Sequence, residues 1–184
     1  MAASYCEFVQ QAGAGTVHRH YHDHEYGFPL LHDDELFARL VLEINQAGLS
    51  WEIVLKKKAS FYQAFDNFSI DKVARYSEKK IARLLQDPGI IRNRLKIEAT
   101  ISNARQIQQL QKEYGSFKNW LDHHHHPLTK EEWVKLFRKT FRFTGGEIVN
   151  EFLMSTGYLP GAHIESCPVY KKLLRLKPAW LKKR

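Results

Sequence analysis

Pro88-Gly89-Ile90-Ile91-Arg92-Asn93-Arg94-Leu95-Lys96-Ile97 stops one helix and starts another. The preceding run KKIARLLQD (79–87) carries Ile81, Leu84 and Leu85 at helical spacing, Pro88 and Gly89 interrupt it, and the periodic LKIEATISNARQIQQL (95–110) follows. A helix, a tight hairpin and a second helix are expected. Glycine in the turn can leave backbone N–H groups bare, and Arg92, Arg94 and Lys96 add positive charge within the next turns. The chemistry suits a phosphate backbone. The competing reading is a turn that only joins two packed helices.

Working outward, the 184 residues suffice for one domain, 1–184, built as one mass or two helical lobes around a shared core. Hydrophobic residues at 43%, charged residues at 26% and a mean hydropathy of -0.46 are those of a soluble globular chain. There is neither a run apolar enough to span a membrane nor a signal-peptide pattern, so a cytoplasmic location and no membrane partner are expected. Twenty-eight Lys plus Arg against 20 Asp plus Glu leave a net charge of +8, which favours a polyanionic partner.

Apolar residues recur with helical period almost throughout and no series of alternating strands is present, so the fold class is all-α. Asp33-Asp34-Glu35 reads as the acidic first turn of a helix through LFARLVLEINQAG. Ser50 reads as the cap of WEIVLKKKASFYQAF, with Lys56 to Lys58 facing solvent, and Ser77 opens the first arm of the hairpin. Ser69 and Asp71 lead into DKVARYS, and further helices are expected at 116–122, 129–138, 145–156 and 168–175. The histidines His123 to His126 read as an exposed loop, and the basic end KPAWLKKR (177–184) as a frayed tail.

Both cysteines lie near the ends of the chain. His163 and Cys167 are spaced i, i+4, which puts them on one face of a helical turn, and Cys6 with His22 would complete a Cys2His2 tetrahedron for structural zinc. Such a site would tie an N-terminal strand to the C-terminal segment. His18, His20 and His24 compete as ligands, and two buried free thiols are the alternative.

Six segments in order, YHDHEYG (21–27), LEINQAGLSW (42–51), LKKK (55–58), PGIIRNRLKI (88–97), FRFTG (141–145) and HIESC (163–167), resemble the 3-methyladenine DNA glycosylase type I family and span most of the chain. The resemblance implies a helix-hairpin-helix glycosylase fold whose two ends are joined by zinc on Cys6, His22, His163 and Cys167. It implies monofunctional hydrolysis of the N-glycosidic bond of 3-methyladenine in alkylated double-stranded DNA, after base flipping; a monomer is expected. Gly89, Arg92, Arg94 and Lys96 would then hold the DNA backbone, and Leu49 would act as a wedge.

Glu43 stands between Leu42 and Ile44 in an apolar helix, where a carboxylate is costly without a partner. The resemblance implies that it accepts hydrogen bonds from the edge of the methylated adenine, a cation for which an anionic acceptor is selective. It further implies that Glu43 and Tyr21 form the catalytic and base-selecting pair, with Trp51 against the face of the base. Phe8 would be the opposing wall, at a position where the family often has Trp. The Asp that many helix-hairpin-helix glycosylases place after the hairpin has no counterpart, because QQLQKEYGSF offers only Glu113, which reads as a surface residue. Water is therefore expected to attack without a strong dedicated base. The chain departs from the family pattern at Tyr26, where Trp is frequent, at FLMSTG (152–157), and at Leu159-Pro160-Gly161-Ala162 before His163. The alternatives in other classes are a catalytically silent, zinc-stabilised module that binds damaged DNA and a small-molecule purine binder.

Overall fold

A computed structural model describes residues 4–125 and 128–182, and no strand occurs among them. Eleven α-helices follow in order: α1 Tyr5–Ala12, α2 Val17–His24, α3 Asp33–Gln46, α4 Trp51–Ala64, α5 Ile70–Val73, α6 Glu78–Leu84, α7 Arg94–Tyr114, α8 Phe117–His125, α9 Lys130–Thr140, α10 Gly146–Ser155 and α11 Pro168–Arg175. The segment expected as an N-terminal strand is helical instead. Ser4 and Thr16 explain this, because their hydroxyls accept from the N–H groups of Glu7 and Arg19 and so cap α1 and α2.

The centre of the molecule is α3. Every residue from Leu36 to Asn45 is buried, and the helix touches α4, α5, α7, α8 and α10. Phe37, Leu40 and Ile44 join Phe61, Ile97, Phe117 and Phe152 in one core, each such side chain contributing roughly 1.5–3 kcal/mol by leaving water. The acidic turn at its start does more than meet the helix dipole. Asp33 accepts from the N–H groups of Phe117 and Lys118 (2.8 and 3.0 Å), and Asp34 from that of Ile70 (3.0 Å), so two carboxylates of α3 cap α8 and α5.

Several local expectations shift. Ser50 and Ser77 occupy the N-cap positions of α4 and α6 but close no side-chain cap, whereas Asn93 caps α7 through Lys96 N. The lysines of α4 are not uniformly solvated: Lys57 donates to Pro88 O (2.5 Å) and half-buried Lys58 pairs with Glu25 (2.5 Å). His123 to His125 continue α8 rather than forming a loop, and His126 lies outside the described residues. The C-terminal end does not fray through Lys182. Ala179–Leu181 form a 3-10 turn that donates Trp180 N–H to Gly157 O (3.2 Å), and residues 183–184 lie outside the described residues.

The connection from α6 to α7 shows why glycine stands at position 89. Its φ is not in the left-handed region; the constraint is space. A Cβ there would sit 2.9 Å from Ser60 Cβ and 2.9 Å from Asp87 Oδ1, so the turn lies flush on α4. The Gly89 N–H is not bare, since it donates to Asp87 Oδ1 (2.7 Å). The N–H groups of Ile91 and Arg92 are the ones that find no acceptor among the described residues. Gly89→Ala is expected to destabilise the protein by about 1–3 kcal/mol through overpacking, read as a lower midpoint in urea unfolding.

Candidate functional site

A cavity of about 250 Å³ opens between α1, α2, α3, α4 and α10, and it collects residues from far apart in the chain: Tyr5, Tyr21, Tyr26, Glu43, Gln46, Trp51 and Glu151. Three of the residues expected from sequence, Tyr21, Glu43 and Trp51, therefore share one site. Trp51 begins α4 and meets the Tyr21 ring edge-on, with centroids 5.2 Å apart, which makes two walls at a steep angle. Tyr21 is buried, and its hydroxyl accepts from Arg39 Nη1 (3.0 Å).

Glu43 is 4% exposed, one helical turn beyond Arg39 on α3. Burial pushes its carboxyl up to about 8 against the opposing attraction of the Arg39 guanidinium, with Glu151 raising it further and the Ser155 hydroxyl lowering it. Arg39 acts on Glu43 by its field, not by an ion pair: its guanidinium pairs with Glu25 (3.3 Å), which Lys58 pairs as well, so the cation is committed to the ion-pair cluster beside the cavity.

Four lining residues were not singled out from sequence: Tyr5, Gln46, Tyr26 as a wall, and Glu151. Tyr5 takes the place expected for Phe8. Phe8 is 41% exposed and rests on Tyr5 (6.0 Å, 17° between planes) and His18 (5.0 Å, edge-on), outside the cavity lining. The reason lies in helix geometry, because residues three apart on α1 occupy neighbouring positions and Tyr5 is the inner of the two. Leu49 stands partly exposed in the turn between α3 and α4. Its N–H donates to Gln46 O (2.7 Å) and its carbonyl accepts from Gln46 Nε2 (3.3 Å), which ties it to a lining residue.

The basic residues after the hairpin separate into different environments. Arg92 is exposed and has no ion-pair partner among the described residues. Arg94 is paired with Glu78 (3.3 Å) and Glu98 (3.1 Å). Lys96 differs from the sequence expectation: it is 6% exposed, and its Nζ donates to Asn45 O (3.0 Å) and Ala47 O (2.7 Å). It satisfies carbonyls at the C-terminal end of α3, where a cation meets the helix dipole, and it offers no charge to an external phosphate. Glu113 is exposed, as expected.

Behind α2, the ligand-type atoms of Cys6, His22, His163 and Cys167 lie within 4.8 Å of one another, and all four residues are buried. Three sulfur-to-nitrogen distances are 3.6 Å: Cys6 to His163 Nδ1, Cys167 to His163 Nδ1, and Cys167 to His22 Nε2. Bonds of about 2.3 Å to sulfur and 2.0–2.1 Å to nitrogen in a tetrahedron place those atoms about 3.6 Å apart. The outer ring nitrogens are held too, His22 Nδ1 by Asp23 Oδ1 (2.6 Å) and His163 Nε2 by Tyr26 O (2.8 Å), the arrangement that fixes ring tautomers at metal sites. The donor set fits a metal ion. His18, by contrast, bonds the Tyr5 hydroxyl, and exposed His20 approaches Glu25, so neither joins the cluster.

The family model described as methyladenine glycosylase matches residues 11–135. The chain is 34% identical over 168 residues to DNA-3-methyladenine glycosylase 1 of Escherichia coli K12, covering 82% of this chain and 89% of the relative. It is 33% identical over 174 residues to DNA-3-methyladenine glycosylase of Haemophilus influenzae, covering 85% and 94%. Its structure is similar to that of 3-methyladenine DNA glycosylase I from Staphylococcus aureus, solved to explain 3-methyladenine recognition, with a TM-score of 0.78, 32% identity and coverage of 86% and 94%. With the match extending through the cavity-lining stretch of α2, α3 and α4, this chain belongs to the methyladenine glycosylase family.

Proposed function

We propose that this protein is a DNA-3-methyladenine glycosylase of base excision repair, acting as a monomer on alkylated double-stranded DNA. The observation that carries the reading is a buried carboxyl, Glu43, at the wall of an aromatic cavity of purine size. Stacked bases are inaccessible in a duplex, so the nucleotide must first be extruded. Leu49, exposed beside the cavity residue Gln46, is suited to fill the vacated stack, and the free N–H groups of Ile91 and Arg92 with the Arg92 side chain are suited to hold phosphate. Arg94, already shared by two glutamates, adds less.

In the cavity the methylated adenine stacks on Trp51, meets the edge of Tyr21, and donates to Glu43. Its positive charge favours the carboxylate form of Glu43, which burial otherwise opposes. A neutral adenine gives no such return. Arg39 positions the Tyr21 hydroxyl. Cleavage breaks the C1′–N9 bond, the bonding pair leaves with the base and cancels its charge, and the sugar becomes an oxocarbenium ion that water captures, releasing its proton to solvent. Because the leaving group departs neutral, selectivity resides in binding and orientation, and no further base is required.

Cys6, His22, His163 and Cys167 would hold zinc as a closed structural site, since all four positions of a tetrahedron come from the protein. The ion would fasten α1 and α2, which carry Tyr5 and Tyr21, to the segment before α11. It takes no part in bond cleavage.

Three outcomes are expected. Wild-type protein releases free 3-methyladenine from methylated duplex DNA, and Glu43→Gln lowers kcat/KM about tenfold or more; DNA binding without base release would support the silent-module reading instead. The second concerns stability. A carboxyl raised from 4.5 to about 8 makes ionisation unfavourable in the folded state, so wild type loses stability relative to Glu43→Gln as pH rises across that interval. The difference grows by at most about 1.4 kcal/mol per pH unit and levels off above it, measurable by unfolding at pH 5, 7 and 9. Third, elemental analysis finds about one zinc per chain, and chelation or Cys167→Ser lowers the Tm by roughly 10 °C or more.

A further inference from the structure

The cavity contains a second acid that the family motifs did not indicate. Glu151, from α10, lines the same space as Glu43, and its Oε2 accepts from the Tyr26 hydroxyl (3.2 Å), which fixes the carboxyl on the cavity wall. No lysine, arginine or histidine pairs with it among the described residues. The cavity lining itself holds two carboxyls, Glu43 and Glu151, and no basic side chain; Arg39 lies behind Glu43, and Lys130 acts on Glu151 only as the weakest of several influences, among which burial dominates. Two acids in one poorly solvated cavity oppose each other's ionisation, so while the cavity is empty Glu43 keeps its proton to higher pH. A structural tie for Tyr26 alone would need only a neutral acceptor. A cation entering the cavity favours the ionised form of both.

We infer that Glu151, oriented by Tyr26, is a second base-recognition residue, which sets the preference of the cavity for cationic N-alkylpurines over neutral damaged bases. This deepens the proposed glycosylase reading and rests on it. Glu43 accepts from one edge of the base, while Glu151 contributes a counter-charge from α10 whose benefit does not depend on the donor pattern of that edge. Selection by charge acts alongside the edge contacts of Glu43, so its benefit falls on 3-alkylated purines, which are cations before cleavage. Tyr26 is a positioning residue here: removing its hydroxyl frees the carboxyl to turn away without removing its charge.

The test compares kcat/KM on duplexes containing 3-methyladenine, 3-methylguanine and neutral hypoxanthine for wild type, Glu151→Gln, Glu151→Asp and Tyr26→Phe. Glu151→Gln is expected to lower the ratio of each cationic substrate to hypoxanthine about tenfold, mainly through KM, with Glu151→Asp recovering part of it and Tyr26→Phe falling between. Where hypoxanthine release is undetectable, competition by neutral and cationic purine nucleosides reads the same preference as a ratio of inhibition constants. Circular dichroism melts identify any variant that fails to fold, and for these Tyr26→Phe carries the comparison. An unchanged ratio in folded Glu151→Gln, with wild type active on 3-methyladenine, overturns the role of Glu151 and leaves the glycosylase reading standing. Wild type inactive on every methylated duplex would instead remove that reading itself.

Discussion

The rest of the structure depends on a helix without a solvent face. From Leu36 to Asn45 every position of α3 is covered, so its polar residues must be satisfied from inside the protein. Arg39 is satisfied by Tyr21, Glu25 and the Ser155 carbonyl, and Asn45 by Val41 O. Glu43 is the exception: it lines a cavity and makes no ion pair among the described residues, with the Arg39 charge only partly offsetting its burial. Because α3 is fixed by neighbours on all sides, its one incompletely compensated group cannot relax toward water. Its resistance to ionisation is built into the fold.

This local acidity coexists with a basic exterior, and the two act over different ranges. The net charge of +8 produces a field that attracts a polyanion, weakening over about 8–10 Å in physiological salt. The cavity is screened far less, so a few carboxyls there outweigh distant lysines. Under the proposed function, a negatively charged polymer outside and a positively charged base inside therefore make no opposing demands on the protein.

The helices were readable because their apolar faces repeat, and α3, α4 and α7 match the periodic stretches closely. Glu43 was readable as an anomaly, a carboxylate among aliphatic neighbours. The Cys/His cluster was readable as a possibility, through the i, i+4 spacing of His163 and Cys167 and the pairing of Cys6 with His22, while the family resemblance strengthened the choice of these four over His18, His20 and His24. What sequence did not convey were partnerships made across the chain. Glu151 in α10 looks like any acidic helix residue until Tyr26, 125 positions earlier, is seen to hold it. Lys96 reads as a surface charge because pattern cannot reveal that α3 ends beside it, and Gly89 reads as conformational freedom where the actual requirement is clearance from Ser60. Ser50 and Ser77 stand where caps belong, but their hydroxyls are not directed at the open N–H groups.

Lys96 has a mechanical meaning as well as an electrostatic one. Its stem begins in the first turn of α7, directly after the hairpin, and its ammonium grips the last carbonyls of α3 just ahead of Leu49. Lys57 makes a parallel link from α4 to Pro88. These two cross-braces tie the hairpin and the Leu49 turn together like the arms of a caliper. The spacing between the two turns is then set by the protein, so in the proposed complex a duplex engaging both would have to conform to that gauge.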